Sequence, residues 1–181
     1  MGAAIRIGTL NDVRALVRMH AECSPASVER RYLAPMPMMG AHLATRLLCP
    51  AGGFSLVSER ANALVAVSTV APYDGTGRAE VGELFVDRCQ RQGIGTALLV
   101  AATRHAARRG FAELVLMAHP DNRAVLPMVN AAGLRARVKM RDGFTQVVIT
   151  LPRAGAAPTA RADGGERVPA RLHSARASAN N

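Results

Sequence analysis

Residues 83–99 constrain this chain more than any other stretch. They read Glu-Leu-Phe-Val-Asp-Arg-Cys-Gln-Arg-Gln-Gly-Ile-Gly-Thr-Ala-Leu-Leu. An apolar strand runs through a turn holding Gly93 and Gly95 into a segment with apolar residues at helical spacing. A helix that starts there presents unpaired backbone N–H groups, and its dipole adds positive potential. Glycines let a ligand's oxygens approach the backbone closely, and Arg88 and Arg91 add charge beside them. The segment is therefore a candidate anion cradle. It lacks the Gly-Lys-Ser/Thr ending of a P-loop. It also lies mid-chain, whereas the Gly-x-Gly-x-x-Gly of a dinucleotide fold sits near the start of parallel β-α units.

The flanking pattern supplies the fold class. Alternation at 4–7 reads as a strand; Thr9 or Asn11 then caps a helix carrying Val13, Leu16, Val17 and His20 on one face. The stretch 21–48, restarted at Ser24-Pro25 and interrupted by Pro35 and Pro37, reads as a cleft wall with a helical turn or two at 42–48. Strands at 54–58, 64–70 and 79–86 have short links and imply an antiparallel meander. A helix at 96–109 ends at Gly110. A strand at 112–117, a helix at 122–132 and strands at 134–140 and 144–151 complete the order. Pro127 is tolerated near the first turn of its helix.

Composition narrows the partners. All but one of the 23 basic side chains are arginines, Lys139 being the exception, and the net charge is +10. Such a surface attracts a polyanionic cofactor, acidic proteins or nucleic acids, and charge alone does not choose among them. Aromatics are 3% of the chain, too few for a module that stacks bases, so no nucleic-acid partner is expected. Cys23, Cys49 and Cys89 are scattered and odd in number, fitting neither a zinc site nor a disulfide framework. They read as reduced thiols. No secretory pattern or long apolar run is present. The expectation is a cytoplasmic protein without a membrane span or metal, with a domain at 1–152 and a disordered basic Ala/Arg-rich tail at 153–181.

Gln90-x-x-Gly93-x-Gly95 matches the Gln/Arg-x-x-Gly-x-Gly/Ala phosphate-binding pattern that follows the fourth strand in the GNAT superfamily of N-acetyltransferases, which this chain resembles. Val86-Asp87 before it, Thr96-Ala97-Leu98-Leu99 after it, and Asn122-Arg123-Ala124 followed by Gly133-Leu134 also look like the family; members usually have Gly-Phe at the last pair. The likeness covers residues 4–151 by element order and is motif-specific over 80–134.

The resemblance implies an α/β (α+β) GNAT fold: a mixed central sheet of about seven strands, flanking helices and a splay between strands 4 and 5. Acetyl-CoA would lie in that splay. Its pantetheine arm would pair with backbone near Leu84, Phe85 and Val86, and its pyrophosphate would rest on Gln90, Arg91, Gln92, Gly93, Ile94, Gly95 and Thr96. Asn122 would bond the arm, or simply cap a helix.

Acyl transfer to an amine needs a proton acceptor for the ammonium and a donor for the tetrahedral oxyanion. The family typically uses a fourth-strand amide for the latter, here Val86 or a neighbour. Glu80 and Glu83 are three apart on a strand and so face opposite ways. Ala79-Glu80, ten residues before Gln90, matches the protein-lysine acetyltransferase branch, in which that glutamate is the general base; Ser24-Pro25-x-Ser27 and Arg31-Tyr32 also look like that branch. The glutamate and tyrosine typical of ribosomal-protein N-terminal acetyltransferases are replaced by Met117 and Val129, which move no protons. His20, His42 and His119 are cleft or core candidates. The resemblance thus implies acetyl transfer from acetyl-CoA to an amine acceptor, a protein lysine. A small-molecule amine, or a degenerate domain that binds acyl-CoA without turnover, remain the other readings.

Overall fold

The computed structural model describes residues 3–36 and 38–152. The tail expected to be disordered, 153–181, lies outside the described residues.

The elements run β1 (Ala4–Ile7), α1 (Val13–Ala21), α2 (Pro25–Tyr32), α3 (Ala41–Leu48), β2 (Phe54–Arg60), β3 (Ala63–Pro72), β4 (Arg78–Phe85), α4 (Ile94–Arg108), β5 (Glu113–Ala118), α5 (Val125–Ala131), β6 (Ala136–Arg141) and β7 (Phe144–Thr150). The strands form one seven-stranded sheet in the order β1-β2-β3-β4-β5-β7-β6. Among the described strands only β4 and β5 are parallel neighbours. The expected mixed sheet with flanking helices is the architecture found.

Apolar residues seal both faces. Leu98, Leu99, Ala102 and Ala106 of α4 are fully buried, and the two alanines let that helix lie close on β2 and β3. On the other face Leu16 and Met19 of α1 and Ala44 and Leu48 of α3 are buried. The first strand is pinned by an ion pair. Arg6 donates to both carboxylate oxygens of Asp12, at 2.6 and 2.8 Å, and the Thr9 amide donates to Asp12 Oδ2 at 2.8 Å. The hydrogen bond from Arg6 holds the Asp12 carboxyl down at about 2.

Four boundaries differ from the sequence expectation. Helix α1 follows a short 3-10 turn at Leu10–Asp12, so its N-cap is Asp12, while Thr9 caps that turn and Asn11 lies within it. Residues 25–32 form a full helix, because the Ser24 hydroxyl accepts from the Ser27 amide at 3.3 Å and Pro25 fills the first helical position. Helix α4 begins at Ile94, so Ile94 and Gly95 are already helical. Helix α5 begins only at Val125, with Ala124 as its N-cap. Asn122 is therefore not the cap; its side-chain oxygen accepts from the Ala124 amide at 3.3 Å in a local turn ahead of the helix.

Strand β4 splays from β5 midway. It pairs with β3 through Phe85, opposite Ala66, whereas its pairing with β5 consists of Arg78 with Glu113, Ala79 with Leu114 and Glu80 with Val115. Residues 81–85 leave an open gap on the β5 side. Among the described residues no helix is long and apolar enough to cross a membrane.

Candidate functional site

The gap inherits its chemistry from strand parity. The Tyr73 amide donates to the Arg78 carbonyl at 2.9 Å and the Val86 amide to the Val65 carbonyl at 3.0 Å, so even-numbered residues of this strand turn their polar groups toward β3. The Ala112 amide donates to the Gly77 carbonyl at 2.8 Å, so odd-numbered residues face β5. Beyond Glu80 the β5 partner is gone, and Glu83 and Phe85 present main-chain groups to the gap. An extended amide-bearing arm can pair there as a strand would. The Val86 amide, expected as an oxyanion donor, is already committed to Val65; the free donors are its neighbours.

Two connected clefts occupy the gap. The inner one, about 160 Å³, is lined by Arg31 and Ser27 of α2, by residues 81–85, and by Leu116, Met117, Asn122 and Met128. The outer one, about 540 Å³, is lined by Arg30, Arg91, Gly93, Gly95, Thr96, Asn122 and Arg123. Phe85 and Gln90 line both. A narrow slot opening into a wider mouth with three arginines suits a thin chain ending in a polyanion.

Both glycines of the loop have a physical reason. Gly93, the N-cap of α4, has φ +79°, a left-handed conformation that favours glycine. At Gly95 a Cβ would lie 2.9 Å from Met128 Sδ and 3.1 Å from Phe85 Cζ, so its absence lets the first turn of α4 sit against the cleft. Of the expected cofactor residues, Leu84, Phe85, Gln90, Arg91, Gly93, Gly95, Thr96 and Asn122 line the clefts. Val86 and Ile94 are instead buried in the core. Gln92 turns outward, accepting from Arg60 at 2.6 Å and donating to the Arg88 carbonyl at 2.7 Å.

Gln90 also has an internal role. Its amide donates to Ser27 Oγ at 2.9 Å, and Ser27 Oγ donates to Asp87 Oδ1 at 2.7 Å. Asp87 further accepts from the Ser24 amide at 2.7 Å and hydroxyl at 2.8 Å. Burial opposes ionisation of Asp87, yet these donors outweigh it and lower its pKa. Ser24 and Ser27 thus tie the start of α2 to the loop before α4.

The two β4 carboxylates part company. Glu80 is exposed and lines a separate recess with Arg46 and Leu47 of α3 and with Tyr73. Glu83 lines the inner cleft, and both its carboxyl oxygens are shut off from water without a hydrogen-bond partner. Burial pushes its pKa up to about 8, against the opposing pull of Ser68 and Arg31. Arg31, half-buried, borders both spaces and packs on Gly82, which lies between the two glutamates along β4. Arg30, Arg31 and Glu83 had no assigned site role from sequence; the signal available for Glu83 was strand parity. His20 is a core residue tilted against Tyr32 at 5.8 Å, and burial lowers its pKa. His119 meets Phe144 edge-on at 5.3 Å, and His42 is exposed outside these clefts.

Known proteins share this fold. The model of the Acetyltransferase (GNAT) family matches residues 14–133. No curated protein matches the chain. Among solved structures, the GNAT domain of S. lividans PAT is similar at a TM-score of 0.74 and 23% identity, over 82% of this chain and 90% of that one. A phosphinothricin acetyltransferase from Sinorhizobium meliloti in complex with AcCoA is similar at 0.67 and 16% identity, over 88% and 94%. Salmonella typhimurium yncA with its cofactor acetyl-CoA is similar at 0.65 and 17% identity, over 88% and 100%. With the family model spanning most of the sheet and the glycine loop, the chain belongs to the GNAT acetyltransferase family and is an acyl-CoA-dependent N-acetyltransferase.

Proposed function

We propose that the chain transfers an acetyl group from acetyl-CoA to a protein lysine in the cytoplasm, with 1–152 as the acetyltransferase domain. The observation that carries this reading is the pair of spaces meeting at Arg31 and Gly82: a cofactor slot on one side and, on the other, an open recess of about 680 Å³ holding the exposed Glu80. A carboxylate open to solvent can take a proton from an acceptor through a bridging water. The Ser24-Pro25-x-Ser27 and Arg31-Tyr32 pattern supports the lysine acceptor, since Ser27 and Arg31 line the inner cleft and Arg31 also borders the recess.

In this reading Glu83 and Phe85 pair with the pantetheine arm, and the Phe85 amide, one residue from Val86, faces the oxyanion. The outer arginines and the amides at the start of α4 hold the pyrophosphate. The phosphinothricin acetyltransferases among the similar structures keep a small-molecule amine as the second acceptor class. Acetyl-CoA turnover measured against unfolded protein, lysine peptides and a panel of small amines decides between them. Preference for lysine peptides supports the proposal; preference for one small amine replaces it. Acetyl-CoA binding without turnover on any acceptor would mark a degenerate binding module.

A further inference from the structure

The sheet face that carries Glu80 extends past the recess to the outer edge. Glu80 of β4 is paired with Val115 of β5, Val115 with Val148 of β7, and Val148 with Arg137 of β6. Directly paired residues share a face, so these form one row across the sheet, spanning about 14 Å at the usual strand spacing. Alternation along β6 puts Lys139 and Arg141 on that face with Arg137. Two contacts agree with this: Arg137 donates to Glu113 of β5 at 2.5 Å, and Arg141 donates to the Tyr73 hydroxyl at 3.2 Å. Tyr73 lines the recess with Glu80, and its hydroxyl also accepts from Gln146 at 3.3 Å. The recess and the β6 face are therefore continuous. Helix α3 brings Arg46 to the recess wall as well.

Part of the positive charge on this face has no counter-charge. Glu113 holds Arg137, and Asp142 lies 3.4 Å from Arg141. Among the described residues no carboxylate pairs with Arg46 or Lys139. Arg46 is exposed, as is every residue of β6, the edge strand of the sheet. Glu80, Glu113 and Asp142 interrupt the cations along the way. A phosphate chain, charged at every step, would meet those carboxylates, whereas a polypeptide can place its acidic side chains singly.

We propose that the acceptor lysine stands in an acidic segment of its protein, which crosses Glu80 in extended form with carboxylates against Arg46 and against Lys139 and Arg137 of β6. This rests on the lysine-acceptor reading above. An extended chain rises about 3.3 Å per residue, so the β6 cations lie about four residues from the lysine. Arg46, on the recess wall, meets a carboxylate closer to it. Exposed pairs contribute little apiece and are screened by salt, so the preference is modest and strongest at low ionic strength.

The test uses the full chain and two lysine peptides that differ only at the second and fourth residues on each side of the lysine, glutamate in one and alanine in the other. Wild type is expected to acetylate the glutamate peptide with a kcat/KM about five- to tenfold higher at low salt, the ratio falling toward one in about 1 M salt. The double variant Arg46→Glu/Lys139→Glu should bring the low-salt ratio to one or below. A wild-type ratio of one or less, or a ratio the variant leaves unchanged, overturns the proposal. The wild-type comparison at two salt concentrations decides it if the variant does not fold. Independently of turnover, fluorescence anisotropy measures binding of the same peptides with norleucine in place of lysine. The glutamate peptide should bind wild type about fivefold more tightly than the alanine peptide at low salt, and equal binding overturns the docking face. Duplex DNA that displaces the labelled peptide better than unlabelled glutamate peptide does would assign the face to nucleic acid and overturn it too. If the glutamate peptide binds as expected but neither lysine peptide is acetylated, the lysine-acceptor reading fails while the acidic docking face stands.

Discussion

The Arg31 guanidinium packs so tightly on Gly82 that a Cβ there would lie 2.4 Å from its Cζ. No side chain larger than hydrogen fits between that charge and β4. Gly82→Ala is therefore expected to push Arg31 away from the strand. Arg31 pulls the Glu83 pKa down, so its displacement moves Glu83 further up. The Glu83 titration, read by NMR of carboxyl-labelled protein, should shift to higher pH than in wild type. An unmoved or lowered midpoint would show that Arg31 does not set the protonation of Glu83.

Glu83 also makes stability depend on pH. Its folded-state pKa, about 8, lies above the ordinary value of 4.5, so its contribution is fully present below about pH 4.5 and is lost as pH rises to about 8. Glu83→Gln removes this dependence. The Tm of the variant minus that of wild type should therefore grow from pH 5 to pH 9, by several degrees. Thermal melts across that range check it; a constant or shrinking difference contradicts the buried, protonated carboxyl.

Asp87 collects donors from both Ser24 and Ser27. Replacing it with Asn removes the charge from this junction and turns one acceptor into a donor. We expect a loss of about 1–3 kcal/mol in denaturant unfolding and a raised KM for acetyl-CoA, because Gln90 loses its brace. An unchanged unfolding midpoint would contradict the bracing role.

Arg30, Arg91 and Arg123 ring the outer cleft and are all exposed. Each Arg→Ala change is expected to weaken acetyl-CoA binding by roughly three- to tenfold at low salt. The effect should fade toward 1 M salt, where the Debye length falls to about 3 Å. Calorimetric titration at two salt concentrations measures both. Equal losses at low and high salt would mean that these residues act through packing rather than charge.

Element order and the anion cradle were legible because they rest on local pattern. Apolar alternation marked β2 to β4, and two glycines before a periodic run marked the start of α4. What escaped depended on partners distant in sequence. Helix α2 was hidden between prolines, although Ser24 before Pro25 is a start signal whose strength appears once Ser27 and Asp87 are seen to meet. The amide direction at Val86 depends on pairing with Val65, twenty-one residues earlier, which no local pattern encodes. Gln92 and Ile94 lie within the glycine motif, yet Gln92, in the turn before α4, reaches Arg60, and Ile94, the first residue of the helix, is buried in the core. The contrast between Glu80 and Glu83 was visible as opposite faces. Which face is closed became clear only with α2 and α5 in place.

The three residue pairs that join β4 to β5 leave the sheet half zipped. A pantetheine arm laid along residues 81–85 would close the seam, so the cofactor would complete the secondary structure as well as deliver the acyl group. Amide hydrogens of Glu83 and Phe85 should then exchange quickly in the free protein and slowly with acetyl-CoA bound, while the Val86 amide, already held by Val65, changes little. The folding stability of this enzyme would thus track the cofactor concentration around it.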